Sequence, residues 1–150
     1  GDLTRRAANH GRSLRFGYRV HVIVRDTEAE ARDAADRLLS RLEPDVGENI
    51  VKRALDSGSA GVARQAAMRE EAAHQDGYIE PNLWTGIGRA RSGAGAAIVG
   101  DPDQVLAKIA EYRQAGIDAF IFSGYPHAAA GDLFARHVLP HIDHAPLAVG

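Results

Sequence analysis

The run Phe16-Gly17-Tyr18-Arg19-Val20-His21-Val22-Ile23-Val24 decides the fold. Its aromatic and β-branched residues predict a strand, and strand side chains alternate between two faces. Tyr18, Val20, Val22 and Val24 share one face; Gly17, Arg19, His21 and Ile23 share the other. The valine face suits burial under a helix. The opposite face carries a permanent cation and a titratable imidazole, both costly to bury alone, so it is expected to line a polar pocket.

Downstream, Thr27 with Glu30 predicts a capped helix start, and Ala31, Ala34, Ala35, Leu38, Leu39 and Leu42 recur at helical spacing until Pro44. Ala96-Ala97-Ile98-Val99-Gly100 reads as a short buried strand. Asp101-Pro102 then supplies an N-cap and a first-turn proline, and Gly116 ends a helix carrying Val105, Leu106, Ile109 and Tyr112. A continuous apolar strand, Ala119-Phe120-Ile121-Phe122, leads into Ser123-Gly124-Tyr125-Pro126-His127. A last helix follows through Leu133, Phe134 and Val138, stopped near Pro140.

Strand–helix alternation implies an α/β chain with a parallel sheet and helices outside it. Three strands cannot close a barrel, which needs about eight, and alone they would leave long edges. The chain is therefore expected to be part of a larger sheet. Residues 44–95 read as an insertion with its own helices: 51–71 helical in composition, 56–61 a joint, and Trp84 a packing anchor.

With 150 residues, 45% hydrophobic and 25% charged, the chain has the means for one domain with a real core. A net charge of -2 offers no basic field for nucleic acid, and no apolar run approaches bilayer-spanning length. Cysteine is absent, which removes disulfides, thiolate metal sites and a cysteine nucleophile, and fits a reducing, cytoplasmic setting. His137 and His141 have zinc-like spacing, but Pro140 and the want of a third ligand argue against it, so no metal is expected. The chain opens on Gly1 rather than Met, which points to processing or truncation.

Four blocks, in order, carry a resemblance. They are Arg19-Val20-His21-Val22-Ile23-Val24-Arg25-Asp26-Thr27-Glu28, Pro81-Asn82-Leu83-Trp84, Arg91-Ser92-Gly93-Ala94-Gly95, and Phe122-Ser123-Gly124-Tyr125-Pro126-His127. Together, over residues 11–142, they resemble the C-terminal half of alkanesulfonate monooxygenases, of the bacterial-luciferase-like group of flavin-dependent oxidoreductases. The resemblance implies the C-terminal part of a (β/α)8 TIM barrel. It implies an enzyme that takes reduced FMN from a separate NAD(P)H-dependent FMN reductase. Such an enzyme reacts the flavin with O2 to a flavin peroxide and cleaves an alkanesulfonate to aldehyde and sulfite. A homo-oligomer is expected.

Carried over, Arg19, His21 and Tyr125 are the catalytic set, and with Arg91 they bind the substrate. Arg19 holds the sulfonate or peroxide anion, and His21 orients it or relays a proton. Tyr125 donates to the developing oxyanion, and Arg91 closes over the site on a mobile loop. Ser123, Gly124 and Tyr125 are the expected flavin contacts. Guanidinium, imidazole and phenol donors also suit the three acceptor oxygens of a sulfonate. The family's N-terminal half supplies much of the flavin-phosphate grip, so this chain alone is expected neither to bind flavin tightly nor to turn over. Two other readings stand beside this one: a related monooxygenase acting on dimethyl sulfone, and a catalytically incomplete half-barrel serving as an assembly module. From the strand pattern alone, Arg19 and His21 read equally well as structural groups.

Overall fold

A computed structural model of the chain describes residues 1–40, 59–90 and 95–145. After a short exposed helix, α1 (Asp2–Ala8), come β1 (Gly17–Val24) and α2 (Glu28–Leu39). The 44–95 region contributes α3 (Ala60–Ala72), β2 (Tyr78–Glu80), β3 (Leu83–Trp84) and α4 (Ile87–Ala90). Then follow β4 (Ala97–Gly100), α5 (Pro102–Gln114), β5 (Ala119–Ser123), α6 (His127–His137) and a 3-10 turn at Leu139–His141.

Two helix starts, those of α2 and α5, are where the sequence places them, whereas residues 60–61 of the expected joint belong to α3 and residues 51–58 lie outside the described residues. Thr27 Oγ1 accepts from the Glu30 N–H at 3.3 Å, and the Glu30 carboxylate accepts from the Thr27 N–H at 3.1 Å. Asp101 and Gln104 make the same reciprocal pair at 2.9 and 3.0 Å, with Pro102 in the first turn of α5. Each box satisfies two backbone donors that the helix cannot.

The five-stranded sheet runs β2-β3-β4-β1-β5. The α/β class stands, but the sheet is mixed: β1 is parallel to β4 and β5, while β3 is antiparallel to both β2 and β4. The inserted region thus brings two strands as well as helices. Asn82, at a left-handed φ of 62°, turns between them, and its side chain donates to the Val99 carbonyl at 2.9 Å. The longest strand, β1, lies between β4 and β5, so both of its backbone edges are paired.

Side-chain alternation divides the core in two: the valine face of β1 is buried under helices as expected, and the face expected to line a polar pocket carries a second apolar cluster around Ile23. Val20, Val22 and Val24, with Leu83 and Ile98, lie under Val105 and Ile109 of α5 and against Leu133 and Phe134 of α6. On the other face Ile23, Ala97, Val99, Tyr78 and Trp84 pack against Ala31, Ala34 and Ala35 of α2. Trp84 is 1% exposed, an anchor as expected. The continuous apolar strand expected at 119–122 forms as β5, but at the edge of the sheet, where Ile121 is 65% exposed. It falls on the histidine face, beyond the reach of α2. Lys108 of α5 is buried, its ammonium bound by Glu80 of β2 at 3.2 Å and Glu111 at 2.9 Å.

Candidate active site

The connections prepare the site. The chain leaves β1 for the histidine face, through α2, and leaves β5 for the valine face, through α6. In open α/β sheets, ligands bind outside the C-terminal ends of strands whose connections part to opposite sides. β1 parts in this way from both its neighbours, β4 and β5, and the polar side chains gather in the crevice on the β5 side.

His21 and Ser123 face each other in register across β1 and β5. His21 is 4% exposed, and its Nδ1 lies 2.7 Å from Ser123 Oγ. If the hydroxyl donates to Nδ1, the ring proton sits on Nε2; if it accepts, Nδ1 holds the proton. Either way the bond sets the plane of a buried ring. The Tyr125 ring stands 5.5 Å from His21, tilted by 39°, and 4.6 Å from His127, tilted by 44°. The Tyr125–Pro126 peptide is cis.

Gly124 carries the chain from β5 into this turn at close quarters. A Cβ there would lie 2.5 Å from the Ala130 Cβ and 3.1 Å from the Val22 carbonyl oxygen, so only glycine fits. Pro126 caps α6 without a side-chain hydrogen bond, which leaves the first-turn amides of an 11-residue helix available to an anion. A cavity of about 230 Å³ opens beside this turn, under α6 on the valine side of the sheet; Val22, Phe122, Ser123, Gly124, His127 and Gly131 line it among others, and His21 and Tyr125 do not.

The residues predicted from sequence fare differently. His21, Ser123, Gly124 and Tyr125 come together. Arg19 shares the face of His21 but lies two residues toward the start of β1, about 7 Å along the strand. It is exposed beside Ile121, on the part of the face that no described helix covers, so the expected polar pocket is open there. Arg91 lies outside the described residues. Sequence reasoning passed over Arg25, just past the end of β1. Burial, then the nearby Arg37, pulls its pKa below the ordinary guanidinium value, and its side chain donates to the Val24 carbonyl at 2.7 Å. Its odd-numbered place in the β1 alternation was the available signal.

A flavin can be tested against this crevice. The Gly124 cradle and the open start of α6 fit a phosphate or one edge of a ring. The cavity is smaller than the roughly 300–1,000 Å³ that buries a whole small ligand. These residues can hold one end of a flavin, with the rest of the grip supplied elsewhere. Among the described residues, no group of three His, Asp or Glu could hold a metal ion.

Residues 1–119 match the family model described as luciferase-like monooxygenase. Over 146 residues, 97% of this chain, it is 64% identical to a sulfoquinovose monooxygenase of Novosphingobium aromaticivorans, covering 40% of that protein. It is 58% identical over 137 residues to a sulfoquinovose monooxygenase of Agrobacterium fabrum, covering 91% of this chain and 35% of that one. The chain thus spans about two fifths of the length of these curated relatives. Among solved structures, a coenzyme F420-dependent tetrahydromethanopterin reductase from Methanopyrus kandleri superposes with a TM-score of 0.44 and 24% identity, over 94% of this chain and 40% of that chain.

Proposed function

This chain belongs to the luciferase-like monooxygenase family, and from that premise we propose that it is part of an enzyme using reduced FMN and O2 to cleave the C–S bond of an organosulfonate. One observation carries this reading: 64% identity, over nearly the whole chain, to a protein named for oxidising a sulfonated sugar. That name favours a sugar sulfonate such as sulfoquinovose over the simple alkanesulfonates expected from the sequence.

Bound reduced flavin supplies the electrons that activate O2; the balance is sulfonate, O2 and reduced flavin to carbonyl product, sulfite, water and oxidised flavin. The chain's own groups bind and orient. Arg19 and Arg91 neutralise the sulfonate, where guanidinium forks match its oxygens. The Tyr125 hydroxyl donates to the oxygen on which charge develops. His21 holds or passes a proton, with Ser123 fixing its ring. The Gly124 turn and the start of α6 take one end of the flavin. A cytoplasmic homo-oligomer served by an NAD(P)H-dependent FMN reductase completes the proposal.

The test joins this chain to the portion of the Novosphingobium relative that it does not span, with reduced FMN regenerated by a reductase. Sulfite released from sulfoquinovose well above that from pentanesulfonate supports the proposal. Sulfite from pentanesulfonate alone restores the alkanesulfonate reading. Methanesulfinate from dimethyl sulfone, or no product from any of the three, overturns it.

A further inference from the structure

We propose that the cavity between α2, α3 and the β2–β3 hairpin is a second binding site, one that takes a hydroxylated organic anion such as a sugar acid. Its volume is about 540 Å³, within the range of small-molecule sites. Arg32, Arg69, Arg89, Asp36, Asp76 and Tyr78 line it.

The charges there are not used up by the fold. Arg32 is engaged: it bonds Glu28 at 2.8 Å and lies 4.2 Å over the Tyr78 ring. Among the described residues, the side chains of Arg69, Arg89, Asp36 and Asp76 make no hydrogen bond or ion pair, and all but Arg69 are exposed at the cavity mouth. Arg69 is half-buried, and burial lowers its pKa more than the neighbouring Glu70 charge raises it, so its guanidinium is only partly compensated. Opposite charges facing one cavity without meeting leave room for a molecule that brings acceptors to the arginines and donors to the aspartates. An oxyanion bearing hydroxyl groups has both. A bare inorganic anion satisfies only the arginines, and a metal cation is repelled by them.

The cavity wall is well defined. Tyr78, 9% exposed, contributes a wall of the cavity, with Arg32 held over its ring and its hydroxyl turned away from solvent. The wall is also rigidly shaped. Asp76 and Gly77 adopt left-handed φ values of 52° and 84°, and a Cβ at Gly77 or Gly86 would lie 2.9 or 2.3 Å from the Trp84 indole. The backbone is wrapped around that ring.

The site is distinct from the His21 crevice. Tyr78, Trp84, Ala97, His21 and Ser123 form one register row across the five strands. Trp84 and His21 are two strand spacings apart in it, about 10 Å. The inference goes beyond the proposed function, and its readout needs neither flavin nor turnover.

Trp84 is the sole tryptophan, so its fluorescence reports on the cavity wall of the 150-residue chain. Titration with sodium gluconate is expected to give a saturable change, at least tenfold tighter than with inorganic sulfate or with glucose. Arg89→Gln, at an exposed position, is expected to weaken gluconate at least fivefold. Asp76→Asn, which keeps a residue tolerant of left-handed φ, is expected to reduce gluconate to the level of sulfate, with far-UV dichroism unchanged in both variants. Absence of a saturable gluconate response, equal affinity for sulfate, or titrations unaltered in both variants would overturn the proposal.

Discussion

The two faces of β1 are built from one strand and differ in kind. The valine face is closed along β1, where Val20, Val22 and Val24 are each at most 5% exposed beneath α5 and α6, and it opens only at the cavity between Phe122 and the start of α6. The histidine face changes character along its length, from exposed Arg19, through the buried His21–Ser123 pair, to Ile23 packed under α2. A face that is wholly apolar can only store stability, whereas a partly covered face can hold polar groups at fixed geometry beside a route for ligand. The contrast predicts that substitutions on one face act on folding, and those at the crevice of the other act on chemistry.

The sharpest way to break that contrast is Val20→Asp, which buries an uncompensated carboxylate 2% exposed between sheet and helix. It is expected to cost about 5 kcal/mol and leave the chain unfolded, read by loss of its cooperative urea transition. A folded Val20→Asp chain would mean that α5 and α6 do not seal this face. On the far end of the histidine face, Trp84→Ala removes the largest fully buried side chain. A loss of about 3–5 kcal/mol is expected from the urea midpoint, so that this end too behaves as core.

Lys108 sharpens the comparison from the valine side, because it ties the inserted β2 to α5. Burial pulls its pKa down, but hydrogen bonds and charge from Glu111 and Glu80 outweigh that and raise it above the ordinary 10.5. A raised folded-state pKa favours folding below the unfolded value, and that contribution is lost as pH climbs through the folded one. Lys108→Ala is expected to cost about 2 kcal/mol at pH 7. The gap between variant and wild-type urea midpoints should narrow above pH 10.5. A smaller effect belongs to Glu28 at the start of α2. The Gln104 side chain, then Arg32, holds its carboxyl below the ordinary 4.5. That contribution is present above the ordinary value and lost as pH falls through the lowered one. Glu28→Gln should therefore lower the thermal midpoint slightly at pH 7, by an amount that shrinks as the pH is taken below 4.5.

Much of this was legible from residues alone. Capping chemistry is local, so Thr27 with Glu30, Asp101-Pro102 and Gly116 marked their helix ends directly. The period-two pattern of β1 told the two faces apart and placed Arg19 and His21 together on one of them. Tyr78-Ile79-Glu80 and Leu83-Trp84 were not legible as strands, since runs so short show no period and exist only by pairing, β3 with β4 and β2 with β3. The exposure of Ile121 was missed for a related reason: apolar composition does not say whether a strand is central or at an edge. The His21–Ser123 contact depends on the register of two strands about a hundred residues apart, which local pattern does not encode. Only the resemblance of Ser123-Gly124-Tyr125-Pro126-His127 pointed to that turn.

The most direct test of the division between faces is Ser123→Ala, in the chain joined to the remaining length of its relative. Ser123 stays at its strand position and loses only the oxygen 2.7 Å from His21 Nδ1. Sulfite release from sulfoquinovose is expected to fall at least tenfold in kcat/KM, while the urea midpoint of folding moves by no more than that of a single hydrogen bond, about 1 kcal/mol. Undiminished sulfite release, or a loss that merely tracks the unfolded fraction, would contradict the account.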